Sequence, residues 1–423
     1  GARSYGAAIE TLNSDARTQN LDAAEQDLLK AQIAGGLLYS GDIGRAYPVA
    51  AAAAQRSGEK APMACWAAGL MAWKKRDYAQ SARYFECVAN SPYVAGWTSA
   101  AGAYWAARSH MRTGDVRTVS GWLKKAMEHP RTFYGLMATR AMGADFDFSW
   151  SMPTFTKAAY DRLITQPAGY RAVALVAAGQ VQRAEQELLR LEPEDDSMRS
   201  AMLAYANYAG LPSLAMRMAS AVAGGQSSYY DMALYPTSSW APKNGFQVEP
   251  ALIYAIMRQE SRFNPNATSA SGATGLMQLI PSTAKAMVEE RDAIAGQDVS
   301  EWLTDPSINL EIGQRYVQRL LKERAVKGDL LALVIAYNAG PGNLARWQKI
   351  WPDVEDPLLF IELIPSGETR TYVERVLSNY WIYQMRDGQP TPTLEAMAEG
   401  RPAKYAMTDD LDRVKPIRLA SRP

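Results

Sequence analysis

Histidine and cysteine are the scarcest chemistry-bearing residues in this chain: two of each in 423 residues, His110, His129, Cys65 and Cys87. A histidine metal site or a Ser-His-Asp triad is hard to assemble from so few imidazoles. His110 falls in an amphipathic helical pattern and His129 precedes Pro130 at a helix end, so both read as structural or surface residues. The two cysteines flank an expected helix-turn-helix; a disulfide, suited to an oxidising compartment, and a pair of buried thiols are equal readings. Charge of one sign is also missing. Lys and Arg number 45 against 44 Asp and Glu, a formal net charge of +1, which leaves no basic field for nucleic acid and no acidic tail. No apolar run approaches the roughly 20 residues that span a bilayer. The longest one near the motifs discussed below, Leu330 to Ala336, reads as a buried helix. The chain begins at Gly1 with no charged-then-apolar leader, so any export signal lies outside this sequence. Strand signals are scarce throughout. By elimination, acid-base chemistry falls to carboxylates, tyrosines or lysines.

What is present is helix. Apolar content of 48% and charged content of 21% describe a folded chain, and its length favours two or more domains. Residues 1–222 read as helical hairpins. Ser40-Gly41-Asp42, Arg76-Asp77, Thr113-Gly114-Asp115, Ala178-Gly179-Gln180 and Ala209-Gly210-Leu211 look like equivalent turns. Their spacing is near 35 residues or about twice that, the period of helix-pair solenoids. Trp66-Ala67-Ala68 and Trp105-Ala106-Ala107 precede such turns by similar distances. Residues 223–249 change to loop chemistry, with Gly224-Gly225-Gln226-Ser227-Ser228 and Pro236-Thr237-Ser238-Ser239 marking a linker that Trp240 and Phe246 dock. Val248-Glu249-Pro250 opens a helix, with Pro250 suited to its first turn. Residues 250–387, helices between glycine-rich and proline-rich loops, form a second domain. Residues 388–423, with Pro390, Pro392, Pro402 and Pro416, read as an extended tail.

Glu260 is the most informative residue. It ends the apolar stretch Ala251 to Met257, and on a helix Ile256 and Met257 share its face. A carboxyl against apolar side chains loses solvation, which raises its pKa and keeps a proton on it near neutral pH. The plainer reading is a surface carboxylate paired with Arg258 or Arg262. The neighbourhood shifts the balance. Ser269, Ser271-Gly272-Ala273 and Gly275-Leu276-Met277-Gln278 form a loop whose glycines let backbone approach a ligand. Gln278 offers a donor and acceptors suited to a sugar's acetamido group, or equally a brace for the loop. Pro281-Ser282-Thr283-Ala284 then restarts a helix.

Two further clusters follow. In Ala336-Tyr337-Asn338-Ala339-Gly340-Pro341-Gly342-Asn343 an apolar helix stops at a tight turn, with Asn343 placed to cap the next helix and Tyr337 at the helix end. In Glu362 to Val373, Glu368 and Arg370 are placed to organise a polar network, while Val373, Val376, Leu377 and Tyr380 continue a core-facing stripe. Each cluster alone has a sufficient structural explanation.

In this order and spacing, Glu260-Ser261-Arg262-Phe263-Asn264-Pro265, Gly275-Leu276-Met277-Gln278, Ala336-Tyr337-Asn338-Ala339-Gly340 and Glu368-Thr369-Arg370 closely resemble the signature of the Slt-type soluble lytic transglycosylases. The resemblance is strong over about residues 240 to 386. It is looser upstream, where Tyr104 to Arg108 and Thr132 to Leu136 look like the family's helical superdomain, here short enough for an open arc or a smaller ring. It implies an all-α fold, a helical superhelix followed by a lysozyme-like domain. It also implies a catalytic acid at Glu260, with Ser269, Gln278, Tyr337 and Glu368 matching the family's substrate-site positions. Ser261, Met277 and Asn338, inside the same motifs, are read as substrate-binding with them. Ile280 stands where some members have methionine, and Ser366-Gly367 where an aromatic often precedes the Glu-Thr-Arg sequence. Both departures bear on subsite shape.

The reaction implied needs one carboxylate where ordinary glycosidases need two, and it calls for no metal or organic cofactor. Glu260 protonates the oxygen linking N-acetylmuramic acid to N-acetylglucosamine, and the substrate's acetamido oxygen meets the anomeric charge. Glu260 then takes the proton of the muramyl 6-hydroxyl as a 1,6-anhydro ring closes, an attack favoured because the nucleophile is tethered. Peptidoglycan strands are the partner implied, and the periplasm the compartment, with a lipid anchor not legible. The solenoid offers a docking surface for protein partners. A goose-type lysozyme-like hydrolase of the same bond, and a solenoid scaffold that binds peptidoglycan without turnover, are the competing readings. The 11 tryptophans and 22 tyrosines supply sugar-stacking faces or, for the most part, core.

Overall fold

A computed structural model describes Ala8, Leu12, Thr18 and residues 20–223, 230–288 and 298–405. Every regular element among them is a helix, and strand pairing is limited to isolated bridges. The fold divides into two compact units. The first takes Gly1–Phe146, Lys322–Ser378 and Thr391–Tyr405; the second takes Asp147–Leu321 and Asn379–Pro390, with residues beyond 405 outside the description. Compactness thus groups the chain differently from the sequential division at residues 223–249, and each unit draws on both halves of the sequence.

The first unit opens with helical hairpins: α1 (Ala23–Tyr39), α2 (Ile43–Ser57), α3 (Pro62–Lys74), α4 (Tyr78–Asn90), α5 (Gly96–Thr113), α6 (Val116–Met127) and α7 (Phe133–Ala141). The second contains α8 (Lys157–Leu163), α9 (Pro167–Ala177), α10 (Val181–Leu189), α11 (Asp196–Ala209) and α12 (Pro212–Ala223). All five turn signals fall between helices, and each contains one residue in the left-handed region: Gly41, Arg76, Gly114, Gly179 and Gly210. The residue after each closes the same bond, its N–H donating to the carbonyl five residues back. Asp42 reaches Leu37 at 2.9 Å, Asp77 Ala72 at 2.9 Å, Asp115 His110 at 3.1 Å, Gln180 Leu175 at 2.8 Å and Leu211 Ala206 at 2.8 Å. This is the Schellman closure, which satisfies carbonyls that a helix end leaves without partners. Asp42 and Asp77 then cap the following helices through their side chains. The Gly224 to Ser228 turn lies outside the described residues.

Cys65 on α3 and Cys87 on α4 form a disulfide, with Cα atoms 6.2 Å apart, which resolves the two readings of the pair. Gly58, at the end of α2, lies against both sulfurs: a Cβ there would sit 2.6 Å from one Sγ and 2.9 Å from the other. The core beside them is aromatic. Trp105 is fully buried, with Trp73 and Phe85 at 5.1 and 5.4 Å between ring centroids. The Arg108 guanidinium lies over Trp73 and Trp105 and donates to Asp356 at 2.8 Å. His110 contacts the Glu86 carboxylate at 2.6 Å, a structural use as anticipated.

Later helices complete both units. α13 (Asp231–Leu234), α14 (Pro250–Glu260), α15 (Pro281–Lys285), α16 (Val299–Thr304) and nearly all of α17 (Pro306–Lys322) belong to the second. α18 (Leu330–Ala339), α19 (Pro341–Ile350), α20 (Pro357–Glu362) and α22 (Pro392–Ala398) belong to the first, and α21 (Gly367–Arg386) continues from the first into the second. The stripe Val373, Val376, Leu377 and Tyr380 is buried, as is Leu330 to Ala336. The tail departs from the extended reading, because residues 392–398 are helical. Pro392 occupies the first turn, where its missing N–H costs nothing, and Leu394 and Met397 bury one face. Residues 406–423 lie outside the described residues.

Candidate functional site

The sequence motifs fall into two groups, one in each unit. In the second unit, α14 starts with Pro250 in its first turn and buries every residue from Pro250 to Met257. Glu260 is its last residue and is half-buried. The Arg258 guanidinium also has partners of its own. It donates to the Leu234 carbonyl at 2.8 Å and to Asn379 Oδ1 at 2.9 Å, and it lies over the Tyr235 ring at 4.3 Å. Ser261 is buried and bonds back to the Met257 carbonyl through its N–H at 3.0 Å and its hydroxyl at 3.2 Å.

The chain then bends sharply. Arg262 and Phe263 both have positive φ, 50° and 65°, a conformation that side-chain-bearing residues adopt at a cost. Phe263 is fully buried, which anchors the bend, and the Ser213 hydroxyl donates to the Arg262 carbonyl at 2.8 Å. Two isolated bridges, Thr268 with Thr274 and Thr274 with Leu279, fold the following loop onto itself. Ser269 braces it: its Oγ accepts from the Ala273 N–H and contacts Ser271 Oγ, both at 3.0 Å. Gly275 has φ +84°, and a Cβ there would run into the Leu303 carbonyl and the Asn309 side chain. Gln278, at φ 45°, donates from Nε2 to the carbonyls of Ala267 at 2.9 Å and Gly275 at 3.0 Å. Both amide hydrogens are thus engaged within the loop. Met277 is fully buried with its sulfur against Gly313, so its side chain supports the loop from beneath. Ile280 is exposed at 47% on the far edge.

Asn309, on α17, was not among the residues read from the sequence, and it holds this loop. It is completely buried. Its Oδ1 accepts from the Met277 N–H at 2.9 Å, and its Nδ2 donates to the carbonyls of Thr274 at 3.1 Å and Leu303 at 3.0 Å. One turn on, Glu311 accepts from Asn244, while Gln314 exchanges bonds with Gln247 and Gly245, fixing the segment that leads into α14. The available signal was an amide set between Ile308 and Leu310 on a helix.

In the first unit, Tyr337 is buried near the end of α18 and Asn338 follows it, half-buried. Asn338 Oδ1 accepts from the Thr369 hydroxyl at 2.7 Å, joining α18 to the start of α21. Arg370 donates to the Ile364 carbonyl, and its guanidinium lies 4.3 Å over the Tyr39 ring. Glu368 is exposed in the first turn of α21, so the polar network there is made by Thr369 and Arg370. Gly340 caps α19, whereas Asn343 sits inside its first turn and donates back to the Ala339 carbonyl at 2.7 Å. Beneath lies a second acid. Glu362 is buried, accepts from Tyr134, which in turn accepts from Trp105 Nε1 at 3.0 Å, and burial pushes its carboxyl up to about 7. Among the described residues no three His, Cys, Asp or Glu side chains group as metal ligands would.

Comparison with known proteins bears on these motifs. Residues 239–358 match the family described as Transglycosylase SLT domain. The soluble lytic murein transglycosylase of Escherichia coli K12 is 37% identical over 158 residues, covering 37% of this chain and 24% of that protein. The crystal structure of the 70 kDa soluble lytic transglycosylase of Escherichia coli superposes with a TM-score of 0.73 at 23% identity, covering 96% of this chain and 64% of that one. An inactive mutant of lytic transglycosylase Slt from Pseudomonas aeruginosa gives 0.70 at 22% identity, over 92% and 62% of the two chains. The chain therefore spans less than two thirds of these proteins. The structural likenesses establish its all-α fold, helical hairpins with a lysozyme-like portion.

Proposed function

We propose that this protein is a peptidoglycan lytic transglycosylase that cleaves the β-1,4 bond between N-acetylmuramic acid and N-acetylglucosamine and leaves 1,6-anhydromuramyl ends. One observation carries the reading. Glu260 is a half-buried carboxyl at the end of a buried apolar helix, inside the segment that matches the SLT domain. Glu260 follows Ile256 and Met257, both buried, on the same helical face. A neutral carboxyl is what protonation of a glycosidic oxygen requires.

Glu260 then acts twice, donating its proton to the leaving oxygen and accepting one from the muramyl 6-hydroxyl as the anhydro ring closes. Gln278 orients the sugar by accepting from the acetamido N–H through Oε1. Ser269 keeps the loop in shape, and Tyr337, Asn338 and Glu368 contribute the substrate contacts that their motif positions imply. The division into a solenoid, a linker at 223–249 and a catalytic domain at 250–387 is our functional partition of the chain. The substrate places the protein in the cell envelope, in the periplasm. No helix among the described residues is long and apolar enough to cross a membrane.

The test is product analysis on purified sacculi. The unaltered protein is expected to release anhydromuropeptides, lighter by one water than hydrolytic products. Glu260→Gln is expected to lose about 10³-fold or more of that release with an unchanged circular dichroism spectrum. Reducing-end products make the protein a hydrolase; near-normal turnover by Glu260→Gln removes the assignment.

A further inference from the structure

The bend that follows Glu260 is tied to the helical hairpins of the second unit by one hydroxyl. Among the described residues, Arg262 and Phe263 are the only two consecutive side-chain-bearing residues in the left-handed region, a conformation that persists only where something fixes it. Phe263 is fixed by burial, whereas Arg262 is exposed. The peptide carbonyl between them accepts from the Ser213 hydroxyl at 2.8 Å, although Ser213 lies 49 positions earlier in the chain.

Ser213 is the second residue of α12, and α12 is locked to α10 at both ends of the contact. Leu211 precedes α12, and its carbonyl accepts the first helical bond from Ala215 at 3.0 Å. Leucine brings no side-chain oxygen to the N–H groups that a helix start leaves open. Glu185, buried on α10, supplies it. Its Oε1 accepts from the Leu214 N–H at 3.0 Å, and the Ser213 N–H bears on the same carboxylate. Arg217, one turn further along α12, makes the reverse connection. Its Nη1 donates to the Leu189 carbonyl at 2.5 Å, and its Nη2 donates to those of Leu188 and Leu191 at 2.9 and 2.7 Å, where α10 ends. A carboxylate at the positive end of one helix and a guanidinium at the negative end of the other hold the pair as a bracket. That bracket fixes where the Ser213 hydroxyl stands.

We propose that Ser213 is a positioning residue for the acid: by holding the peptide between Arg262 and Phe263, it sets the end of α14, and Glu260 with it, against the loop that carries Gln278. It acts through the backbone and not on the substrate. Glu260 lies two residues before the tied carbonyl. Ala267, whose carbonyl accepts from Gln278 Nε2 at 2.9 Å, lies five residues after it. Rotation of the freed peptide would shift the acid relative to the loop, and small displacements of a reacting group cost rate steeply. The proposal rests on the reaction assigned above to Glu260.

The test is turnover of soluble, uncrosslinked peptidoglycan strands by the full chain, with kcat and KM for anhydromuropeptide release determined separately. Ser213→Ala should lower kcat about tenfold and leave KM within about twofold, because the loop that meets the sugar is clamped independently by Asn309. Ser213→Thr, which restores the hydroxyl, should return kcat to within about twofold of the unaltered protein. Ser213 is half-buried, and circular dichroism at the assay temperature should show both variants folded. Glu260→Gln keeps two failures apart. Normal turnover by Glu260→Gln removes the reaction assigned to Glu260 and this role with it, whereas an inactive Glu260→Gln beside a fully active Ser213→Ala removes the positioning role alone. Equal losses in Ser213→Ala and Ser213→Thr, or a raised KM with kcat unchanged, would also overturn it.

Discussion

The chain turns corners in two ways. In the helical hairpins a single left-handed residue, usually glycine, ends the helix, and the next N–H reaches back five residues to close it. Everything needed lies within one turn of chain. In the loop after Glu260 the left-handed residues include Gly272 and Gly275 but also three that bear side chains, Arg262, Phe263 and Gln278. What holds them comes from a distance: a buried phenyl ring, the Ser213 hydroxyl, and the Asn309 amide from another helix. The hairpins are specified locally; the loop is imposed by its surroundings. Imposed geometry is where strain can persist in the service of a site.

Three measurements sharpen or break that contrast. Asn309→Ala should have the largest effect. It strands the Met277 N–H and removes the clamp on Gly275 to Gln278, so stability should fall by about 1–3 kcal/mol. Release from sacculi should drop by about 10²-fold through misplacement of the loop alone. Chemical denaturation and product release measured on one preparation would show both; full activity in Asn309→Ala would mean that the loop holds itself.

Gly114→Ala should be milder and confined to stability. Gly114 has φ +82° and open space around its Cα, so a methyl group there meets only backbone cost, about 1–2 kcal/mol. Turnover at temperatures where the variant is folded should be unchanged. A loss of activity in Gly114→Ala would erase the distinction between the two kinds of corner.

The last measurement is a slope. Glu362 is a buried acid with no part in the proposed chemistry, its carboxyl raised from 4.5 to about 7 by desolvation, against the opposing pull of the Tyr134 hydrogen bond and the Arg370 charge; burial and the Glu362 charge raise the neighbouring Glu374 carboxyl as well. The folded state therefore holds a proton that the unfolded chain releases. Stability is full below the ordinary carboxyl range, declines as pH rises towards about 7, and levels off beyond it. Glu362→Gln should remove this part of the decline in thermal midpoint across that window. The pH profile of product release should not move, since it follows Glu260. A parallel shift in both would show that the two acids act together.

The same contrast explains what could be read from sequence. Turns at Gly41, Gly114, Gly179 and Gly210 were legible because glycine or a neighbouring aspartate states the backbone need in place. Arg76 was found only because Asp77 follows it. The helix ending at Glu260 was legible from its apolar run and from Pro250. Asn309 was not, because its bonds are to residues six to 35 positions away and an amide on a helix looks like surface. The helix at 392–398 was hidden by its prolines, which were read as breakers although Pro392 is a starter. Asn343 was read as a cap because asparagine favours that role; Gly340 takes it, and the amide turns back to the preceding helix. Gln278 showed its chemistry but not its allocation: the donors brace the loop.

Gly58 decides a matter in which it has no chemical part. Because its bare Cα lies against both Cys65 and Cys87, any larger residue there would wedge the two thiols apart or displace the end of α2. The covalent cross-link is therefore hostage to a residue that carries no sulfur. A chain with both cysteines intact and Gly58 replaced would keep the partners of the bond while losing the vacancy that lets them meet.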